Sequence, residues 1–301
     1  MAAVKGLGLA GVLQSDELDA KLAACHIMVH ATPRGLAAYA QQGASQKQLI
    51  DDMLANGPLL IEMAVADGAN QAKYGESMEI LSQIQEYQGR SQVAPALETL
   101  ALAIAMELAV PRELRPAVGD TQSPEYVDPL KRYKAYEKAF LAKKLDPGFD
   151  DLTTWEMRMA VNGEEPDHIA EWGREMVANY RPDHILTEDE RWRYVDLVRT
   201  DIRYGSQDNK FDRDDLQFFQ NILMNGGICG RRAFFGRFVC RAFGIPNIRR
   251  PSKGHAALAR WTPNGWVVCF GPKWGRGKQV NVVGRYTMGP DFLASTQARQ
   301  N

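Results

Sequence analysis

The chain has 301 residues, of which 45% are hydrophobic and 24% charged. That is enough for one large domain or two moderate ones with a buried core, and it excludes disorder as the main state. The net charge of −1 conceals an asymmetry, because 227–301 holds 13 of the 36 basic residues and only one of the 37 acidic ones. Either an acidic helical part packs against this basic part, or the basic part faces an anionic substrate or partner.

Four cysteines occur, Cys25, Cys229, Cys240 and Cys269, with no CxxC pair. Their number and spacing argue against a disulfide-stapled scaffold, so an intracellular, reducing location is predicted over secretion. The apolar run near the N-terminus lacks the small-x-small cleavage site of a signal peptide. No apolar stretch reaches the roughly 20 residues that span a bilayer, so no membrane partner is expected.

Hydrophobic spacing predicts a helical first part of the chain. In its first helix Leu18, Leu22, Cys25 and Val29 recur at three- and four-residue steps, and the Pro-Arg-Gly segment at 33–35 ends it. The further helices are predicted at 46–55, 58–67, 75–87, 95–110, 129–143, 151–161, 166–179, 187–203 and 214–224.

Prolines mark the predicted domain boundary. Four of them fall within 111–130, which predicts a loop. We therefore expect a helical bundle over 1–120 and a second domain over 121–301, although the two can form one continuous body.

The sequence changes character after Gly226. Two short apolar runs flank Asn264-Gly265, and Asn-Gly between such runs indicates a β-hairpin. The elements predicted here are a helix at 229–243, strands at 256–261, 266–270 and 279–286, and a helix at 291–298.

Cys229 stands at a predicted helix start, where a cysteine can act as a nucleophile. The two preceding glycines let the backbone turn tightly into the helix. A helix start and neighbouring arginines favour thiolate, and the first-turn amides can stabilise an oxyanion. His255 follows 26 positions later at the start of the hairpin and can serve as the base. The residues expected to line the oxyanion site and the cleft are Gly227, Gly230, Arg231, Arg232 and Trp274.

Three segments together resemble the transglutaminase-like core of the papain-like Cys–His superfamily. They are Gly226-Gly-Ile-Cys229-Gly-Arg-Arg-Ala, Ala242-Phe-Gly-Ile-Pro246 and Gly254-His255-Ala-Ala-Leu-Ala-Arg-Trp-Thr-Pro-Asn-Gly-Trp266. In that superfamily a helix carries the cysteine, the following strand carries the histidine, and the next strand usually carries an aspartate. Its members include cross-linking enzymes, cysteine proteases, peptide N-glycanases and inactive relatives.

A longer pattern is similar to an uncharacterised group of proteins with transglutaminase-like domains. The segments that carry this second resemblance are Val65-Ala-Asp-Gly-Ala, Tyr74-Gly-Glu-Ser-Met-Glu-Ile, Asn179-Tyr-Arg-Pro-Asp-His184 and Val198-Arg-Thr-Asp-Ile-Arg-Tyr-Gly205. This second resemblance implies a transglutaminase-like domain in the chain, but it implies no particular activity.

The aspartate that the resemblance implies is missing. Phe270 stands at its position, and no acidic residue occurs between Cys229 and Asp291. An asparagine can orient the imidazole instead, as in papain-like enzymes, and Asn281 is the first candidate. The carboxylates that can come from the helical part are Asp201, Asp208 and Asp212. Without any of these, the site is a Cys–His dyad or is inactive.

Two other motifs are interpreted as structural. His26 and His30 have a metal-ligand spacing, but they lack the glutamate of H-E-x-x-H and a third ligand, so no metal is predicted. The glycine-rich segment 5–11 does not follow a strand, so it fails the context of a dinucleotide site and no cofactor is predicted. Cys240 and Cys269 are expected to be core residues.

These observations predict an α+β fold that is mostly helical, with an N-terminal helical bundle and a transglutaminase-like core containing a small antiparallel sheet. The predicted function is thiol acyl transfer or hydrolysis on a peptide or carboxamide carbonyl, carried out by Cys229, His255 and Asn281. The protein would then be an acyltransferase or hydrolase with a protein or peptide substrate. The alternative is an inactive module of the same fold, a pseudoenzyme that binds an anionic or protein partner. Nucleic acid is not expected as a partner, and the oligomeric state stays open.

Overall fold

The computed structural model describes residues 10–11, 16–89, 93–120, 124–182, 211–252, 255–263 and 265–269. Within these ranges it does not describe the side chains of 16–17, 250–255, 257 and 267–269. In this part of the chain the protein is mostly helical, with one three-stranded antiparallel sheet. The predicted α+β class is confirmed at this level. No helix within the described ranges is both long and apolar enough to cross a membrane.

The chain divides into two compact units. The first comprises Met1–Pro111 with Thr153–Arg158, and the second comprises Arg112–Leu152 with Met159–Asn301. The described helices that lie wholly in the first unit are α1 (Asp16–Ala31), α2 (Pro33–Ala40), α3 (Ala44–Ala55), α4 (Gly57–Val65), a 3₁₀ turn (Asn70–Ala72), α5 (Tyr74–Gln88) and α6 (Pro95–Glu107).

Helix α6 is buried on nearly every side, as its sequence predicts. Leu100, Ile104 and Met106 have no exposed surface, and the helix packs against α5. A proline in the first turn starts it, where the missing N–H breaks no hydrogen bond.

The buried face of α1 is not the predicted one. Leu22 and Val29 belong to the predicted apolar stripe, yet they are 58% and 79% exposed. Ile27 is fully buried instead, and α1 packs against α4. At the contact, a Cβ on Gly57 would lie 3.0 Å from the Cβ of Ala20. The two helices approach where side chains are small, so close packing selects the alanine face over the larger residues.

Pro33 begins a helix as well as ending one. Thr32 precedes α2, and its side-chain oxygen accepts a hydrogen bond from the Gly35 amide at 3.1 Å. Threonine as the N-cap with proline in the first turn is a helix-start pattern. The expectation that 33–35 only interrupts the chain was therefore incomplete.

The second unit holds the sheet. Its described helices are α7 (Pro129–Leu141), a 3₁₀ helix (Pro147–Asp151), α8 (Thr154–Val161, which belongs to the first unit as far as Arg158), α9 (Asp167–Tyr180), α10 (Phe218–Asn225) and α11 (Cys229–Ala242). Three strands follow, β1 (Asn247–Ser252), β2 (His255–Thr262) and β3 (Gly265–Cys269), in the order β1-β2-β3. The elements predicted at 187–203, 279–286 and 291–298 lie outside the described residues.

The predicted hairpin is present. Thr262 pairs with Gly265, and the Thr262 hydroxyl donates to the Gly265 carbonyl at 2.7 Å. Strand β1 was not predicted, because its sequence Asn-Ile-Arg-Arg-Pro-Ser shows no apolar alternation. It pairs with β2 and lies at the edge of the described sheet, where a proline is tolerated.

Helix α10 starts later than predicted. Asp215, expected in its first turn, is bound to Arg213 in an exposed ion pair of 2.7 Å. The start is set instead by Gln220, whose side-chain oxygen accepts a hydrogen bond from the Gln217 amide N–H at 3.0 Å. A single glutamine in the first turn is a weaker sequence pattern than two aspartates.

A buried ion pair joins α11 to the segment before α9, and a buried arginine of α7 binds the same segment. Arg241 is 1% exposed, and its Nη2 and Nε atoms donate to the carboxylate of Glu165 at 2.8–3.1 Å. Burial disfavours the ionised carboxyl of Glu165, but Arg241 outweighs that effect and lowers its pKa. Arg132 donates to the carbonyls of Val161, Gly163 and Glu165 at 2.7–3.2 Å.

Candidate active site around Cys229

Cys229 is the first residue of α11, at a sharp turn between two helices. Gly226 ends α10 and donates its N–H to the Ile222 carbonyl at 2.7 Å. Gly226 and Gly227 have φ of 68° and 127°, which other residues rarely adopt. The chain thereby passes from α10 to α11 within three residues, as the Gly-Gly pair predicts.

The first turn of α11 presents amides with no side-chain cap. Ile228 precedes the helix in an extended conformation and makes no cap hydrogen bond through its side chain. The first N–H groups of a helix have no partner within it, so they can bind a negative group. Cys229 is partly exposed with a free thiol, and Gly230 beside it is exposed. This arrangement places a reactive thiol next to N–H groups that can stabilise the oxyanion formed when the thiol attacks an acyl group.

The two arginines after Cys229 are buried in the helix start. The Nη2 of Arg231 donates to both carboxylate oxygens of Asp212 at 2.7 Å, and the Asn225 amide donates to the same carboxylate at 2.7 Å. The Nε of Arg232 donates to the Gly227 carbonyl at 2.7 Å. Both side chains therefore stabilise the turn through these hydrogen bonds. The carboxylate of Asp212 is bonded to Arg231. Asp201 and Asp208 lie outside the described residues.

An aromatic wall stands beside this turn. The Arg115 guanidinium carbon lies 4.9 Å from the ring centre of Phe218 and 4.7 Å from that of Phe234. Arg231 covers Phe218 as well, at 5.2 Å. Such cation–π contacts fix both planar groups. Sequence reasoning missed Arg115, because a single arginine in a proline-rich loop carries no pattern that links it to a helix one hundred positions later.

Helix α11 packs against the strand that begins with His255. Phe235 and Phe238 of α11 are buried in one cluster with Leu258 of β2, and the partly buried Ala256 packs on that cluster. Cys240 is fully buried, as predicted. The side chains of His255 and Cys269, and the residues Trp274 and Asn281, lie outside the description.

The two histidines of α1 lie close to each other and to Tyr74. The rings of His26 and His30 are 6.0 Å apart, and the Nδ1 of His30 lies 3.1 Å from the Tyr74 hydroxyl. Among the residues that the structure describes, no three His, Cys, Asp or Glu side chains are grouped to hold a metal ion.

Gly227 and Gly230 give a matched test of the turn. A Cβ on Gly227 would meet the Arg231 Cδ at 2.7 Å and would need a positive φ, so Gly227→Ala is expected to destabilise the protein by about 1–3 kcal/mol. A Cβ on Gly230 meets nothing within 4 Å, so Gly230→Ala is expected to be neutral or stabilising by up to about 1 kcal/mol. Urea unfolding of both variants measures the difference. Equal stabilities would contradict the described turn.

Comparisons with models of protein families, with curated proteins and with solved structures find no match to this chain. The resemblance to the transglutaminase-like superfamily therefore stays a prediction, and the function is argued from the site itself.

Proposed function

We propose that the second unit is a transglutaminase-like core that performs thiol acyl transfer or hydrolysis, following an N-terminal helical bundle. The Cys229 thiol gives its proton to the His255 imidazole, and its sulfur attacks the carbonyl carbon of a peptide or carboxamide. The C–N bond breaks and the leaving nitrogen takes the proton from the imidazolium. Water or an amine then resolves the thioester and regenerates the thiol.

The position of Cys229 carries this proposal. It combines a partly exposed thiol, a helix start without a side-chain cap, and a turn held by Arg231 and Asp212. A cysteine that served only as a small apolar residue would need none of these three features.

Topology supports the pairing with His255. Helix α11 rises about 20 Å over its 14 residues, and the six residues of β1 rise almost as far. The connection between them is short, and both β1 and β2 pack against α11. Ser252 at the end of β1 pairs with His255, so the proposal requires that β1 run back along the helix toward Cys229.

Further residues complete the proposal. Asn281 would orient the imidazole in place of the aspartate for which Phe270 stands, and Trp274 would line the cleft. The amide of Gly230 would be an oxyanion donor. Gly227 would contribute through its backbone, whose carbonyl holds Arg232. Arg231 and Arg232 would shape the turn.

A second candidate is an inactive module with this fold that binds an anionic or protein partner. One observation favours it. No acidic residue occurs between Cys229 and Asp291, so the carboxylate that usually orients the imidazole is missing from this segment.

An activated ester separates the two candidates. With p-nitrophenyl acetate we expect a burst of one equivalent of nitrophenol and an acetyl group on Cys229, located by mass spectrometry, followed by turnover. Cys229→Ala is expected to abolish the burst, whereas Cys25→Ala, at an exposed cysteine, is expected to leave it unchanged. Acetylation spread over exposed nucleophiles, without turnover, would support the binding module instead.

A further inference from the structure

The second unit contains a cavity away from Cys229, next to the C-terminal end of α11. Its volume is about 390 Å³, within the range of small-molecule sites. Leu145, Pro147 and Phe243 supply apolar walls, and Lys143 and Lys144 bring two exposed ammonium groups. The cavity thus joins apolar surface with positive charge.

Arg174 brings a buried charge to the same cavity. It is 8% exposed, and its Nη1 donates to the Ala242 carbonyl at 2.7 Å. Its Nε is buried with no acceptor, and no carboxylate of the described residues forms an ion pair with it. Burial lowers the pKa of this guanidinium, because the charge loses its solvation.

Two other buried arginines of this unit lie in close ion pairs. Arg132 lies 2.5 Å from Asp167, and Arg241 lies 2.8 Å from Glu165. Arg174 is bonded to a backbone carbonyl and only acted on through space by Glu171, Asp167 and Glu175, so an anion bound beside it would offset more of the cost of its burial.

The two acidic residues of the cavity wall do not pair with Arg174. The Oδ1 of Asp146 accepts the Gly148 amide at 3.0 Å and caps the 3₁₀ helix. Glu175 is exposed on α9 and, like Asp167 and Glu171, acts on Arg174 through space without forming an ion pair in the described part of the chain. No carboxylate of the described residues is therefore bonded to the guanidinium, which lines the cavity.

We propose that this cavity binds a small organic carboxylate, whose charged group lies against Arg174 and the two lysines and whose apolar body lies against Phe243 and Leu145. A charge-assisted hydrogen bond from a guanidinium suits a carboxylate, and the apolar walls favour an aromatic or aliphatic body over a bare ion. The proposal does not depend on the chemistry at Cys229.

Calorimetric titration of the full chain with benzoate and with inorganic phosphate tests this site. Benzoate is expected to bind at one saturable site and more tightly than phosphate, which has no apolar body. Arg174→Gln is expected to weaken benzoate binding by about tenfold or more, the effect of one charge-assisted hydrogen bond. Lys131→Ala removes an exposed charge elsewhere and should change nothing.

A double variant keeps the test valid if Arg174→Gln does not fold. Lys143→Ala with Lys144→Ala changes only exposed side chains and should weaken benzoate binding several-fold, with less dependence on salt. The proposal is overturned if benzoate shows no saturable binding, if phosphate binds as tightly, or if the folded variants bind like the wild type.

Discussion

Glu165→Gln is expected to destabilise the protein by about 3–5 kcal/mol, because it leaves the guanidinium of Arg241 buried without its carboxylate. Both side chains are almost completely enclosed, at 2% and 1% exposure. The matched control is Glu171→Gln, which removes the partner of Lys138 from an exposed ion pair and should cost less than about 1 kcal/mol. Urea unfolding at pH 7 measures both, and similar losses in the two variants would contradict the role of the buried pair.

The stabilisation by Glu165 should also depend on pH. Burial opposes ionisation of this carboxyl, yet Arg241 lowers its pKa below the ordinary value. A lowered carboxyl pKa contributes stability that is present above the unfolded-state pKa, about 4.3 for glutamate, and is lost as the pH falls through the folded-state value. The difference between wild type and Glu165→Gln should therefore be largest near neutral pH and shrink below about pH 4. A difference that grows in acid would contradict the assignment of charge to this pair.

Local patterns predicted the elements that local chemistry determines. The Asn264-Gly265 hairpin and the helix at Cys229 depend on glycines and hydrophobic spacing within a few residues, so the sequence sufficed for both. Helix α8 shows a pattern that was overlooked. Thr153 and Glu156 form a capping box, with hydrogen bonds of 2.9–3.3 Å, so the helix begins at Thr154 and not at the predicted position 151.

Features that depend on tertiary contacts could not be predicted. The buried face of α1 is chosen by the close approach of Gly57 to Ala20, which no periodicity within α1 reveals. A contact at the candidate site could not be predicted either, because Asp212 accepts a hydrogen bond from Arg231, which lies 19 positions later in the sequence. A carboxylate in a polar segment has many alternative partners, so its choice of Arg231 follows from the packed turn and not from spacing.

The second large effect is expected at Cys229. A free cysteine in water is only a few per cent thiolate at pH 7, so a thiol held as thiolate by an imidazole alkylates about tenfold faster or more. Solvent exposure alone would make Cys25 the fastest-labelled of the three described cysteines, because Cys25 is exposed, Cys229 partly exposed and Cys240 buried. Cys25 is therefore an internal reference for reactivity that comes from access. Faster labelling of Cys229 than of Cys25 would have to come from its chemical environment.

Iodoacetamide labelling of the wild type and of His255→Ala between about pH 5 and pH 9, with each cysteine quantified by mass spectrometry, tests whether Cys229 and His255 act as a pair. We expect Cys229 to be labelled about tenfold faster than Cys25 at pH 7. We also expect His255→Ala to reduce the labelling rate of Cys229 to that of Cys25. Labelling of Cys229 that is no faster than that of Cys25, and that does not change in His255→Ala, would contradict a Cys–His active site.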